Sequence, residues 1–187
     1  MNEQRDQLTQ MLTAALFAAI IGILAQVTIP LPLVPITGQT LAVGLAATIL
    51  GSRYGALSAL IYMLIGAAGV PVFSQLSAGM GVMAGPTGGY IVSFILSAYV
   101  IGLYIEKTAA TVTQAFIANL IGMLVNLAIG TAWLKFAADL SWTKAFIGGF
   151  APFIIGGIIK AFLAAWIGII VRKRLISARL LPSVKSS

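Results

Sequence analysis

"QTLAVGLAATILGSRYGALSALIYMLIGAA" occupies residues 39–68, and how it meets a bilayer decides the fold. The stretch is apolar almost throughout, yet "GSRYG" (51–55) divides it into Gln39–Leu50 and Gly55–Ala68. Each run is shorter than the roughly 20 residues a helix needs to cross the hydrocarbon layer. Four other runs, Met11–Ile29, Tyr90–Ile105, Ala115–Leu134 and Ala151–Val171, meet or approach that length. Counting the two short runs as helices gives six transmembrane helices, the expected fold of an all-α integral membrane protein. The alternative is four full spans and one re-entrant hairpin. Both arrangements leave the termini on one side.

Composition supports the membrane reading directly. Hydrophobic residues make up 60% of the 187, and charged residues only 8%. A soluble domain carries roughly a quarter of its residues charged. The chain has no cysteine and no histidine, which excludes disulfides and thiolate metal sites and removes the commonest metal ligand. No cofactor or metal is expected. No G-x-x-x-x-G-K-[ST] occurs, so ATP is not bound through a P-loop. An intramembrane hydrolase would need a proton-transfer pair, and only one mid-membrane ionisable group is present, so no enzymatic activity is expected. Ser141–Lys144 matches S-x-x-K but lies in a loop without a partner motif.

The net charge of +7 is explained by topology. In a six-helix arrangement Arg5, Arg53, Lys107, Arg172, Lys173, Arg174, Arg179 and Lys185 share one face, against Lys135 and Lys144 on the other. Positive-inside bias then makes both termini cytoplasmic in a multi-pass protein of the cell membrane. These charges meet anionic lipid headgroups; no nucleic acid is required. The expected organisation is one domain over 1–187, with a cytoplasmic segment at 1–10 and a basic cytoplasmic tail at 172–187. The first apolar run is read as an uncleaved helix.

This orientation places "IPLPLVPITG" (29–38) and "GVPVFSQLSAGMGVMAGPTGG" (69–89) on the outer side. Both are apolar and rich in Gly and Pro. Non-helical backbone at membrane depth is tolerated only where protein covers it or it lines a cavity, and Gly/Pro-interrupted segments point to transport sites. The two loops are therefore expected to roof a pocket.

Lys160 sits midway along the last span, where a lysine costs roughly 2.5–3.5 kcal/mol on insertion scales. Arg172 is twelve residues, or about 18 Å, further inward, so the ammonium is expected to point outward. Gly156, Gly157 and Ala164 leave room beside its stem. The chain has four acids, Glu3, Asp6, Glu106 and Asp139, of which only Asp139 lies on the outer side. A bound anionic ligand is the favoured counter-ion; a pairing with Asp139, or interfacial water, is the alternative.

Other polar positions converge on the same region. Asn119, Asn126 and Trp133 recur every seven residues, close to two turns, and share a helix face. Asn119 reads as interhelical glue; Asn126 reads equally as glue or as a ligand contact. Gln39 and Thr40 open the second helix, where free N–H groups are available. In "GPTGGY" (85–90), Gly88 and Gly89 permit close backbone approach, and Tyr90 offers an aromatic body with a polar tip. Phe73 adds a second aromatic wall. On the first helix, Ala14, Ala18 and Gly22 form one small-residue row, with Ala15 and Ala19 beside it. Such stripes allow close helix approach, to a neighbour in the same chain or to a partner.

"VPITGQT", "GVPVF", "GPTGGY" and Lys160, in this order over the whole chain, resemble the BioY family, the biotin-binding S components of energy-coupling-factor (ECF) transporters. The resemblance implies an S-component fold with a vitamin pocket at the outer side. It implies partners too: biotin, a transmembrane coupling subunit, and a pair of ATP-binding-cassette ATPases. The Ala14/Ala18 row matches the AxxxA-type surface by which S components dock. Biotin would then place its carboxylate on Lys160, its ureido group on Gln39 and Asn126, and its ring and chain on Phe73 and Tyr90. Two departures stand out. Family members often read "FAGG" where this chain has Phe73-Ser74-Gln75-Leu76, and often carry an acid where it has Gly157. The competing expectation is a stand-alone secondary transporter or facilitator for a small amphipathic carboxylate.

Overall fold

The computed structural model describes residues 2–178, with side chains from Gln7 onward. Its elements are α1 (Asn2–Ala25), β1 (Thr28–Ile29), β2 (Ile36–Thr37), α2 (Gln39–Ala67), a 3-10 turn (Ser74–Leu76), α3 (Met80–Ala84), α4 (Gly88–Lys107), α5 (Val112–Ala137), α6 (Trp142–Gly149) and α7 (Phe153–Ser177). Arg179 and Lys185 of the basic tail lie outside the described residues, as does the side chain of Arg5.

Five helices, α1, α2, α4, α5 and α7, are long and apolar enough to cross a membrane. The longest of these, α2, is two helices joined at a break, and they carry the two short runs expected from the sequence. Gly51, at φ 84° and ψ −170°, is its non-helical residue, in a region only glycine enters without strain. The chain doubles back there. A Cβ added to Gly55 would lie 2.7 Å from Ala47 Cα, and the Gln39 amide donates to the Tyr62 hydroxyl. In a straight helix residues 39 and 62 would stand roughly 34 Å apart. Two antiparallel arms of α2 thus join α1, α4, α5 and α7 in a bundle of six helical segments.

The fold-back is capped ionically. Glu106, at the end of α4, accepts from Ser52 N and from Ser52 Oγ, both at 2.7 Å. It thereby satisfies a free donor at the start of the second arm. Arg172 of α7 does the reverse for the first arm: its Nη1 donates to the carbonyls of Thr48 and Ile49 at 2.9 and 3.0 Å. Each charge opposes the partial charge of the helix end it meets.

The connections at 26–38 and 138–152 are not bare loops. β1 and β2 pair antiparallel, Thr28 opposite Thr37 and Ile29 opposite Ile36, a small β element within an otherwise helical chain. The sequence "SWTK" begins α6: Ser141 Oγ accepts from Lys144 N at 3.3 Å, an N-cap contact.

The core packs α1, α2, α4 and α5 around Tyr62, Phe73 and Phe94. Tyr62 and Phe73 meet edge to face at 5.5 Å and 78°, a favoured aromatic geometry. On α1 the interior row is the one expected to dock a partner. Ala14 is 0% and Ala18 3% exposed, and Gly22 faces Val72 and Tyr62. That expectation is corrected: Ala14, Ala18 and Gly22 are internal packing, and Ala15 and Ala19 form the exposed small pair.

Candidate ligand-binding site

A cavity of about 440 Å³ opens between the first arm of α2 and helices α4, α5 and α7, within the 300–1,000 Å³ range usual for small-molecule sites. The expected roof is there. Residues 31 and 34–37 of the 29–38 loop border the cavity, and so do Phe73, Ser74, Gln75, Ser77 and residues 85–87 of the 69–89 loop. Its walls are largely apolar, from Val43, Ile91, Phe94, Leu127 and Phe153.

Lys160 lines this cavity, and its stem carries the ammonium toward the 29–38 loop. Its Nζ donates to Thr37 O at 2.7 Å and to Thr40 Oγ1 at 3.4 Å. Both partners are neutral, and among the described residues no carboxylate, Asp139 included, stands at salt-bridge distance from it. An ammonium has three donors, and the longer of these two contacts is weak. Charge and donor capacity remain for a solute. Gly156 and Gly157 line the wall beside it; a side chain at Gly157 would run into Met123 Sδ, whereas Gly156 faces open space.

Gln39, Thr40, Phe73, Tyr90 and Asn126 also border the cavity, and the fold has already engaged some of them. Gln39 Nε2 donates to the Tyr62 hydroxyl, and its Oε1 accepts from Thr37 Oγ1 at 2.8 Å. One N–H and one lone pair stay free on that amide. The Tyr90 hydroxyl donates to Gly149 O at 2.7 Å, so its ring is what it offers the cavity. Phe73 is 1% exposed, wedged against Tyr62 and Gly66; it is as much core as wall. Asn126 Nδ2 donates to Ser93 Oγ at 2.7 Å and Tyr90 O at 3.0 Å, which orients its carbonyl oxygen. Asn119 is glue, donating to Thr48 Oγ1 and Ala115 O, although it too borders the cavity.

Gly88 and Gly89 are not among the lining residues. A side chain on Gly88 would strike Met83 O, and one on Gly89 would strike Trp133. Their smallness serves close packing of α4 beneath the roof. Trp133 also stays outside and donates from its indole to Gly85 O at 2.9 Å, bracing "GPTGGY" from behind.

Two features escaped sequence reasoning. The carbonyl of Thr37, the closest partner of Lys160, is backbone and has no residue-type signature. The turn after Phe73 is left-handed at two consecutive non-glycine residues, Gln75 (φ 58°) and Leu76 (φ 55°). Each costs about 1–2 kcal/mol relative to right-handed backbone. These are the two positions where "FAGG" has its glycines.

Comparison with known proteins agrees with this architecture. The family model described as "BioY family" matches residues 1–177. The chain is 41% identical over 166 residues to "Biotin transporter BioY2" of Lactococcus lactis, covering 89% of this chain and 91% of that protein. It is 39% identical over 164 residues to "Biotin transporter BioY" of Thermotoga maritima, covering 88% and 96%. A crystal structure of "the S-component for biotin from an ECF-type ABC transporter" superposes with a TM-score of 0.83 at 27% identity, covering 92% of this chain and 94% of that one.

Proposed function

We propose that this chain, which belongs to the BioY family, is the biotin-binding S component of an ECF transporter, not an enzyme. The observation that carries the reading is Lys160: a cation bordering an apolar cavity and bonded only to neutral oxygens of Thr37 and Thr40. A monocarboxylate with an apolar body supplies the missing charge. At the other polar positions, the spare capacity of Gln39 and the oriented carbonyl of Asn126 suit a cyclic urea, which both donates and accepts. The shared fold with a biotin S-component and the names of the relatives point to the same vitamin. Equilibrium binding of labelled biotin to the purified chain tests this. Saturable binding, with biotin amide competing at least about 30-fold more weakly, or roughly 2 kcal/mol, is expected; equal competition by acid and amide would overturn the carboxylate contact.

The ATPases and the coupling subunit belong to the same proposal, with both termini on the cytoplasmic side of the cell membrane. Exposed Ala15 and Ala19 lie between Met11 and Ile23 in one four-residue row of α1, a dip where another helix can approach closely. Ala15→Trp is expected to leave biotin binding within about twofold, because no cavity residue is touched, while ATP-driven uptake in proteoliposomes with the coupling module is lost. Ala14→Trp overpacks the interior and is expected to lower stability by about 1–3 kcal/mol. Uptake by the chain alone would favour the facilitator reading instead.

A further inference from the structure

The roof over the cavity is held by a residue that does not border it. Gln26 follows the last turn of α1, and its amide spans to the strap 72–77. Nε2 donates to Gly22 O at 3.1 Å and Phe73 O at 3.0 Å, with a longer approach of 3.4 Å to Val72 O. Oε1 accepts from Leu76 N at 2.9 Å. Two hydrogens and one lone pair are thus committed, which is most of what a primary amide has. Thr28 adds a second tie, its hydroxyl 3.1 Å from Ser74 Oγ. Beneath these ties the strap closes on itself, Phe73 N donating to Ser77 O at 3.0 Å, and turns through left-handed Gln75 and Leu76. Phe73, Ser74, Gln75 and Ser77 face the cavity; Gln26 does not.

The geometry points to Gln26 as a positioning residue that holds the 73–77 strap shut over bound ligand and so sets how long the ligand stays. A left-handed turn of two non-glycine residues relaxes unless something holds it. Gln26 grips it before and within the turn, by the carbonyl of Phe73 and the N–H of Leu76. The bonds to Val72 and Leu76 lie at the exposed surface and those to Gly22 and Phe73 are half-buried, so water takes over the outer ones at little cost to the fold, while the turn is freed to open. Loss of Gln26 therefore acts on ligand escape more than on folding. The effect is one of dissociation rate, where most affinity differences between related complexes reside.

This inference rests on the reading of the cavity as a biotin site, and the test keeps the two apart. Full-length parent, Gln26→Ala and Gln26→Ala/Leu76→Gly are reconstituted in nanodiscs, and dissociation of labelled biotin is followed by chase with unlabelled biotin. Gln26→Ala is expected to speed dissociation about tenfold. Adding Leu76→Gly, which adopts the left-handed turn unaided, is expected to bring the rate back to within about threefold of the parent. Amide hydrogen exchange over residues 72–77 without ligand is measured in parallel, and is expected to quicken in Gln26→Ala and slow again with the glycine. An unchanged dissociation rate in Gln26→Ala, or a faster one that the glycine does not reverse, overturns the positioning role. A parent that binds no biotin overturns the functional reading alone. The exchange comparison then decides the strap by itself: equal exchange in parent and Gln26→Ala overturns it.

Discussion

Lys160 and Arg172 lie on the same helix, twelve residues apart, and the fold treats them oppositely. Arg172 is 5% exposed and serves the end of the bundle where α2 folds back. Its Nη1 caps two carbonyls where α2 folds back, and Glu106, which caps the other arm, acts on it electrostatically. Lys160 is half-buried at the cavity wall, and among the described residues its hydrogen bonds go to Thr37 O and Thr40 Oγ1. Both cations donate to neutral oxygens, but Arg172, whose Nε is left without a partner, sits at the fold-back near Glu106, whereas Lys160 borders the cavity. A buried charge without a counter-ion is expensive, so a cation at the packed fold-back and a cation at a cavity wall are expected to matter for different things.

Removing each cation should therefore fail in a different way. Lys160→Ala is expected to weaken biotin binding by at least about 100-fold, near 2.7 kcal/mol, with biotin amide weakened less than about threefold. A common loss for acid and amide, measured by competition, would mean that Lys160 does not meet the carboxylate. Arg172→Met is expected to do the converse. Two charge-assisted caps disappear and Glu106 loses a nearby opposite charge, for about 2 kcal/mol, or a fall in Tm of roughly 4–8 °C for a chain of this size. Biotin affinity of the folded fraction should stay within about twofold. A large affinity loss with unchanged Tm would show that the fold-back end takes part in capture. The finest test is Thr40→Val, which removes only the 3.4 Å contact to Lys160. Affinity should change by less than about threefold, since a bond that long contributes little; a larger drop would make Thr40 a ligand contact in its own right.

The same contrast explains which residues could be read in advance. A lysine in an apolar run is conspicuous because almost nothing else there carries charge, and two Gly/Pro-rich apolar loops are conspicuous because solvated loops are polar. Lys160, Thr40, Tyr90, Asn126 and Gln39 were recognisable as polar-bearing types that a membrane interior does not hold idly, Phe73 as an aromatic in a Gly/Pro-rich loop, and all six border the cavity. Gly88 and Gly89 were misjudged because glycine serves both ligand approach and helix packing, and only the neighbours distinguish these uses. Arg172 looked like one of several topology-setting cations, since no local feature distinguishes a cap from a headgroup contact.

From the chain alone came the membrane setting, the long spans, the outer loops as a roof, the family resemblance and the stranded cation, because each depends on residue type against a uniform apolar background. The tertiary structure decided that α2 folds back at Gly51, that Glu106 and Arg172 hold that turn, and that Ala15 and Ala19 face outward while Ala14 and Ala18 face in. The physical reason is the solvent. Lipid tails are as apolar as a protein core, so a helix such as α1 shows no polar face to reveal its orientation. Adjacent alanines differ only by a rotation that packing alone selects.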